Sequence, residues 1–95
     1  MKAKKPKNVF RDLGYVVEEA ENLRIRAALM TTLTEHIRRA DLTQKEAAKL
    51  LKVTQPRISD LIRGRIEVFS IDMLIAMLSR LGVKTSMRVG NRKVA

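Results

Sequence analysis

Apolar residues recur every three or four positions through most of this chain and alternate singly near its end. From about Val16 to Ala40 the repeat is Val16, Ala20, Leu23, Ala27, Met30, Leu33 and Ile37, widened by Ile25 and Leu29. That period predicts a helix, either unbroken or in two segments parting near Asn22. Glu18, Glu19 and Glu21 near its start and Arg38 and Arg39 near its end suit the helix dipole. In Thr43–Gly64 the same period appears twice, around Lys52-Val53-Thr54. The reading is a helix from about Gln44 to Leu51, a tight turn, and a helix from about Gln55 to Arg63. Thr43 and Glu46 have the spacing of a capping box. Thr54 can cap the second helix, Pro56 falls in its first turn, and Gly64 can take a left-handed end conformation.

Arg65–Phe69 then reads as a loop with Ile66, Val68 and Phe69 as apolar pegs. Ser70 caps a further helix, Asp72 suits its first turn, and Gly82 ends it. Ile71, Leu74, Ile75, Leu78 and Leu81 form its inner face. Met73 and Met77 lie on a neighbouring face, as core filling or, alternatively, a dimer seam. In Val83–Val89, apolar or small Val83, Thr85, Met87 and Val89 alternate with Lys84, Ser86 and Arg88, which is a strand period. A strand needs a partner. The expectation is a sheet across a homodimer, strand addition with another protein, or pairing with residues near Val9.

The two short helices of Thr43–Gly64 can meet at a steep angle. Ala47, Ala48, Leu50 and Leu51 form the inner face of the first. Val53, Ile58, Leu61 and Ile62 serve the turn and the second, and the small Ala48 permits a close crossing. Gln55, Pro56, Arg57, Ser59, Asp60 and Arg63 remain outward, a hydrogen-bonding and partly cationic face of the width of a DNA major groove.

Composition adds an electrostatic partner. The chain of 95 residues carries a formal net charge of +10, which favours a polyanion. Its length fits one domain with a modest core, and an aromatic content of 3% makes that core aliphatic and Met-rich. The absence of cysteine excludes disulfides and thiolate chemistry and fits a cytoplasmic protein. No apolar run approaches a membrane span, and Lys2–Lys7 is not followed by a signal-peptide core. With one histidine, no paired carboxylates on a common face and no Gly-rich phosphate loop, the expectation is no enzyme activity, no cofactor and no metal.

At TQKEAAKLLKVTQPRISDLIRG the chain resembles the helix-turn-helix of the XRE class, the group of phage repressor and Cro proteins. The pattern extends to N-V-F-x-D-L-G near the start, F-S after the motif, and L-x-x-L-G beyond. It is similar to small antitoxins and regulators of the HigA kind, over about Asn8 to Val89. The chain departs from the family at Lys52, where the turn usually carries Gly. A side chain there sits at positive φ or distorts the turn, at a cost of roughly 1 kcal/mol.

The resemblance implies an all-α, lambda-repressor-like helix-turn-helix bundle, to which the periodicity adds a long N-terminal helix and a short C-terminal β-strand. The organisation expected is a basic arm and tuck-in segment at 1–14, with Phe10 on the core and Met1–Lys7 along phosphates or solvated. A DNA-binding domain follows at 15–82, with its motif at 43–64, then a strand and fraying tail at 83–95 as a dimerisation element. The implied function is a transcriptional repressor on double-stranded DNA. It would act as a homodimer on a palindrome, with half-sites about 34 Å apart. The same resemblance implies an antitoxin role with a cognate toxin as partner; a phage-type or stand-alone regulator is the alternative. For the toxin, the acidic face of Glu18, Glu19 and Glu21 and the basic tail are both candidate contacts.

The expected DNA-facing residues are Thr43, Gln44, Lys45, Thr54, Gln55, Pro56, Arg57, Ser59, Asp60, Arg63 and Arg65. Gln44 would face a phosphate beside free backbone N–H groups, and Lys45, Lys52, Arg63 and Arg65 would add anchoring charge. Gln55 suits adenine and Arg57 guanine, each pair worth about 1–3 kcal/mol of discrimination. Pro56 suits a thymine methyl, and Ser59 a base or phosphate. Asp60 would accept from cytosine or pair with Arg57 or Arg63. The resemblance itself places Gln44 and Gln55 at positions that commonly contact operator DNA.

Overall fold

A 31-residue helix, α1 (Val9–Arg39), runs along one side of the molecule and carries the rest on its C-terminal half. The computed structural model describes the backbone from Val9 to Gly90, and side chains from Val16 onward. The expected arm at Met1–Lys7, the tail beyond Gly90 and the packing of Phe10 lie outside these described residues. At 1.5 Å per residue, α1 is about 46 Å long. It passes through Asn22 unbroken, and the Asn22 side-chain oxygen accepts a 2.6 Å hydrogen bond from Arg26 Nε. The helix begins before Val16 and contains Gly14, since one interior glycine costs only about 1 kcal/mol. Met30, Leu33 and Ile37 are buried, whereas Val16 and Leu23 remain 58% and 39% exposed. The predicted stripe is thus correct in period but runs past the end of the core.

The chain leaves α1 through Asp41 at φ 55, a left-handed position that Asp tolerates. It enters α2 (Gln44–Leu51) through the capping box: Thr43 Oγ1 accepts from the Glu46 N–H at 3.1 Å, and Glu46 Oε1 accepts from the Thr43 N–H at 2.9 Å. Lys52 ends α2 at φ 60, ψ 44, so the turn keeps its left-handed geometry despite the missing glycine. Thr54 then caps α3 (Gln55–Ile62) by accepting from the Arg57 N–H, with Pro56 in the first turn. Gly64, at φ 75, turns the chain away.

Ala47 and Ala48 are buried where α2 and α3 meet, beside Leu51, Ile58 and Leu61. Leu50 and Ile62, expected on the inner faces, are instead exposed. They sit one residue from Leu51 and Leu61, which already fill those faces.

A 3-10 turn at Ile66–Val68 leads through buried Phe69 to α4 (Ile71–Arg80), which Ser70 caps through the Met73 N–H. Leu74, Met77 and Leu78 of α4 are buried, whereas Ile71, Ile75 and Leu81 are half-buried. Met77 therefore belongs to the core, as the core-filling reading expected. Arg80 reaches from α4 to donate to the Leu51 carbonyl at 3.0 Å, satisfying an otherwise open acceptor at the end of α2.

The expected C-terminal strand is absent. Among the described residues all regular structure is helical, and residues 83–90 run as irregular chain. Val83 packs on the core and donates to the Leu78 carbonyl at 2.9 Å, but beyond it Met87 and Val89 are 73% and 83% exposed. The alternation buries no face and meets no neighbouring strand, and without ladder hydrogen bonds a strand has nothing to hold it.

Leu51→Ala should lower unfolding free energy by about 2–5 kcal/mol, whereas Leu50→Ala should cost under about 1 kcal/mol; urea denaturation checks both. Lys52→Gly should gain up to about 1 kcal/mol in the same assay by relieving the left-handed side chain.

Candidate nucleic-acid interface

The capped amino ends of α2 and α3 come together on one side of the molecule. Gln44, at the start of α2, and Gln55, Pro56 and Ser59, on the first turns of α3, line a single shallow, open groove of about 500 Å³. Gln44, Gln55 and Pro56 are exposed and Ser59 is half-buried. Both helices present first-turn N–H groups and the positive end of their dipoles, which attract anions. Thr43 and Thr54 stand at the two caps, and exposed Lys45 adds positive charge to the first turn of α2. Two amides, a proline ring and a hydroxyl thus share one surface, with hydrogen-bonding and apolar capacity for base edges.

Arg57 is differently engaged. Its Nη1 donates to the Val68 carbonyl at 2.8 Å, and its guanidinium lies over the Phe69 ring, 5.6 Å from the centroid. The side chain is half-buried against its own loop. Arg26, on α1, holds the same loop, donating from Nη1 to the carbonyls of Ile66 at 2.9 Å and Phe69 at 3.4 Å. Two arginines from different helices therefore satisfy three carbonyls of the Ile66–Phe69 segment. Such charge-assisted bonds are stronger than neutral ones.

Asp60 pairs with Arg65 at 3.8 Å rather than with Arg57 or Arg63. Arg65 also approaches Glu67, Nε to Oε2 at 3.3 Å. The Glu67 carboxyl is held below the usual carboxylate range by its own backbone N–H, with Arg65 adding to the effect. Arg65 is thereby shared between two carboxylates, and Asp60 has its charge partly compensated. Arg63 lies exposed just past the end of α3 and, among the described residues, makes no ion pair shown by the structure.

Of the expected set, the structure brings Gln44, Gln55, Pro56 and Ser59 onto one surface and leaves Thr43, Thr54 and Lys45 at its capped edges. It turns Arg57 into the fold and ties Asp60 and Arg65 together. Sequence reasoning missed the internal work of Arg26 and Arg80. The available signal was the loop itself: buried irregular carbonyls require donors, and long basic side chains on flanking helices can supply them. Among the described residues no cluster of His, Asp and Glu is arranged to hold a metal ion, and no helix is long and apolar enough to cross a membrane.

Comparison with known proteins agrees with this geometry. A family model described as a helix-turn-helix domain matches residues 9–90. A solved structure named as an XRE family transcriptional regulator superposes with a TM-score of 0.74 at 29% identity, covering 81% of this chain and 90% of that one. No curated protein matches the chain. The chain belongs to the helix-turn-helix domain family and is a helix-turn-helix protein of the XRE class.

Proposed function

We propose that this protein is a DNA-binding transcriptional regulator that reads a specific operator and represses by occupying it. The observation that carries the reading is the shared surface of Gln44, Gln55, Pro56 and Ser59 at the amino ends of two capped helices. Sequence-blind anchoring falls to the α2 end, where Gln44, Lys45 and the N–H groups beyond Thr43 meet a phosphate. Lys52 and Arg63 extend the positive rim, and the net charge of +10 draws the molecule to the duplex.

Base reading falls to the first turns of α3. The Gln55 amide has the donor–acceptor pair that matches adenine, Pro56 offers an apolar surface to a thymine methyl, and Ser59 reaches a base or phosphate. Arg57 serves this face indirectly: by pinning the Val68 carbonyl and covering Phe69, it fixes α3 against the loop. One such module covers too few base pairs for tight selection, so the operator is a palindrome bound by a homodimer. An antitoxin role rests on the family resemblance alone, and the regulator without a toxin partner is the reading adopted.

Gln55→Ala should relax selectivity at one base position by about 1–3 kcal/mol while leaving the fold intact, as read by binding titrations against single-base operator variants. Unaltered selectivity would refute the base-reading role. Gln44→Ala should weaken binding to all duplexes alike. Arg57→Ala should lower stability by about 1–3 kcal/mol through loss of a charge-assisted bond and the contact over Phe69, measured by chemical denaturation.

A further inference from the structure

We infer that Asn22 and Arg26, on α1, are positioning residues for the base-facing first turn of α3, acting through the loop that follows α3. The inference rests on the reading of Gln55, Pro56 and Ser59 as the base-facing group. It adds two residues, off that surface, that set how the group is held.

The core does not reach the first turn of α3. The buried residues of the helix are Ile58 and Leu61, both further along it. Gln55 and Pro56 are exposed and Arg57 is half-buried. Beyond the Thr54 cap, the hold on this turn comes from Arg57, which donates to the Val68 carbonyl and lies over Phe69. Arg57 stands two residues from Gln55 and two from Ser59, so whatever fixes Val68 and Phe69 also fixes them.

The loop in turn needs donors from outside. Its own backbone bonds are short in range: the Val68 N–H reaches the Arg65 carbonyl at 3.3 Å, and the Phe69 N–H reaches the Ile66 carbonyl at 3.2 Å. Bonds between residues three apart shape a turn without tying it to a neighbouring helix. Ile66 and Val68 pack on the core and Phe69 is buried, which anchors the side chains and leaves the carbonyls. The Val68 and Phe69 carbonyls find no donor within the loop, and Ile66 keeps a second lone pair. Arg26 bonds Ile66 and Phe69, on either side of the Val68 that Arg57 bonds. The first turn of α3 is thereby connected to α1 through two guanidinium groups and one loop.

Asn22 aims the first of these. Its Oδ1 accepts from Arg26 Nε at 2.6 Å, one helical turn away, while Nη1 goes to the loop. Bonds at both ends fix the plane of the guanidinium. A lysine carries its donors at a single point and cannot hold Asn22 and the loop in the same fork. The geometry of Arg26, beyond its charge, is therefore what the loop requires.

Two duplexes test this: one selected from a random pool by the wild-type chain, and a scrambled sequence of the same composition. Arg26→Lys keeps the charge and loses the fork. It should weaken binding to the selected duplex about fivefold and to the scrambled duplex less than about twofold. Asn22→Ala should show the same pattern at smaller size. A mere fall in the folded fraction would lower both affinities alike. Equal losses on the two duplexes, or no loss on either, would overturn the assignment.

Hydrogen exchange of the free chain reads the same hold without DNA. The Arg57 and Ile58 N–H groups donate to the Thr54 carbonyl at 3.1 Å and 3.2 Å. In Arg26→Lys they should exchange about fivefold faster, while Ala47 in α2 and Leu74 in α4 change less than about twofold. A uniform change, or none, would sink the positioning role whether or not any duplex is selected. Gln55→Ala should lose selectivity with Ile58 exchange unaltered. Failure of the base-reading proposal is thus seen at Gln55, and failure of this one at Arg26.

Discussion

Everything this molecule presents to the outside depends on how closely α2 and α3 can cross. Each helix has eight residues, far too few to persist alone in water. Their stability is tertiary, and the contact holding them is aliphatic: Ala47, Ala48 and Leu51 against Ile58 and Leu61, all buried. Alanine at the crossing lets the backbones approach, and the left-handed Lys52 turns the chain sharply enough to make the approach possible. The cost of a side chain at φ 60 is roughly 1 kcal/mol, small beside the several kcal/mol of apolar burial that the crossing secures. The outward direction of Gln55, Pro56 and Ser59 follows from that crossing, because the opposite side of α3 is committed to the core.

The positive charge of the chain divides into two kinds. Arg26, Arg57 and Arg80 end on backbone carbonyls of loop or helix termini and act as structural donors. They satisfy acceptors that helices cannot satisfy themselves, at places where aliphatic packing offers no donor. Lys45, Lys52 and Arg63 remain exposed around α2 and α3. Net charge therefore overstates the cationic surface available to a polyanion, and the location of each guanidinium decides which role it has. Arg57 shows the difference most clearly. It occupies a helix position facing the groove in a simple wheel, yet the carbonyl of Val68 and the ring of Phe69 draw it sideways into the fold.

This division also explains what could be read from the sequence. The capping box at Thr43, the Thr54 cap, Pro56 in the first turn and the left-handed Gly64 are local devices, encoded within four residues, and all four are present. The core residues Leu33, Leu51, Ile58, Leu61 and Leu74 follow from helical period because each lies near the middle of its stripe. Leu50 and Ile62 lie at stripe edges, where exposure depends on what stands opposite. The strand at Val83–Val89 failed for the same reason. Alternation is local, but a strand exists only through a partner elsewhere, and the described chain offers none. Within the groove, the residue types were legible; the removal of Arg57 from it was not, since it depends on a loop eleven positions away.

The long α1 joins these points. Its C-terminal half is fixed by Met30, Leu33 and Ile37, and through Arg26 it also holds the loop on which Arg57 rests. A force or contact applied to the N-terminal half is therefore carried by a continuous helix into the segment that supports α3.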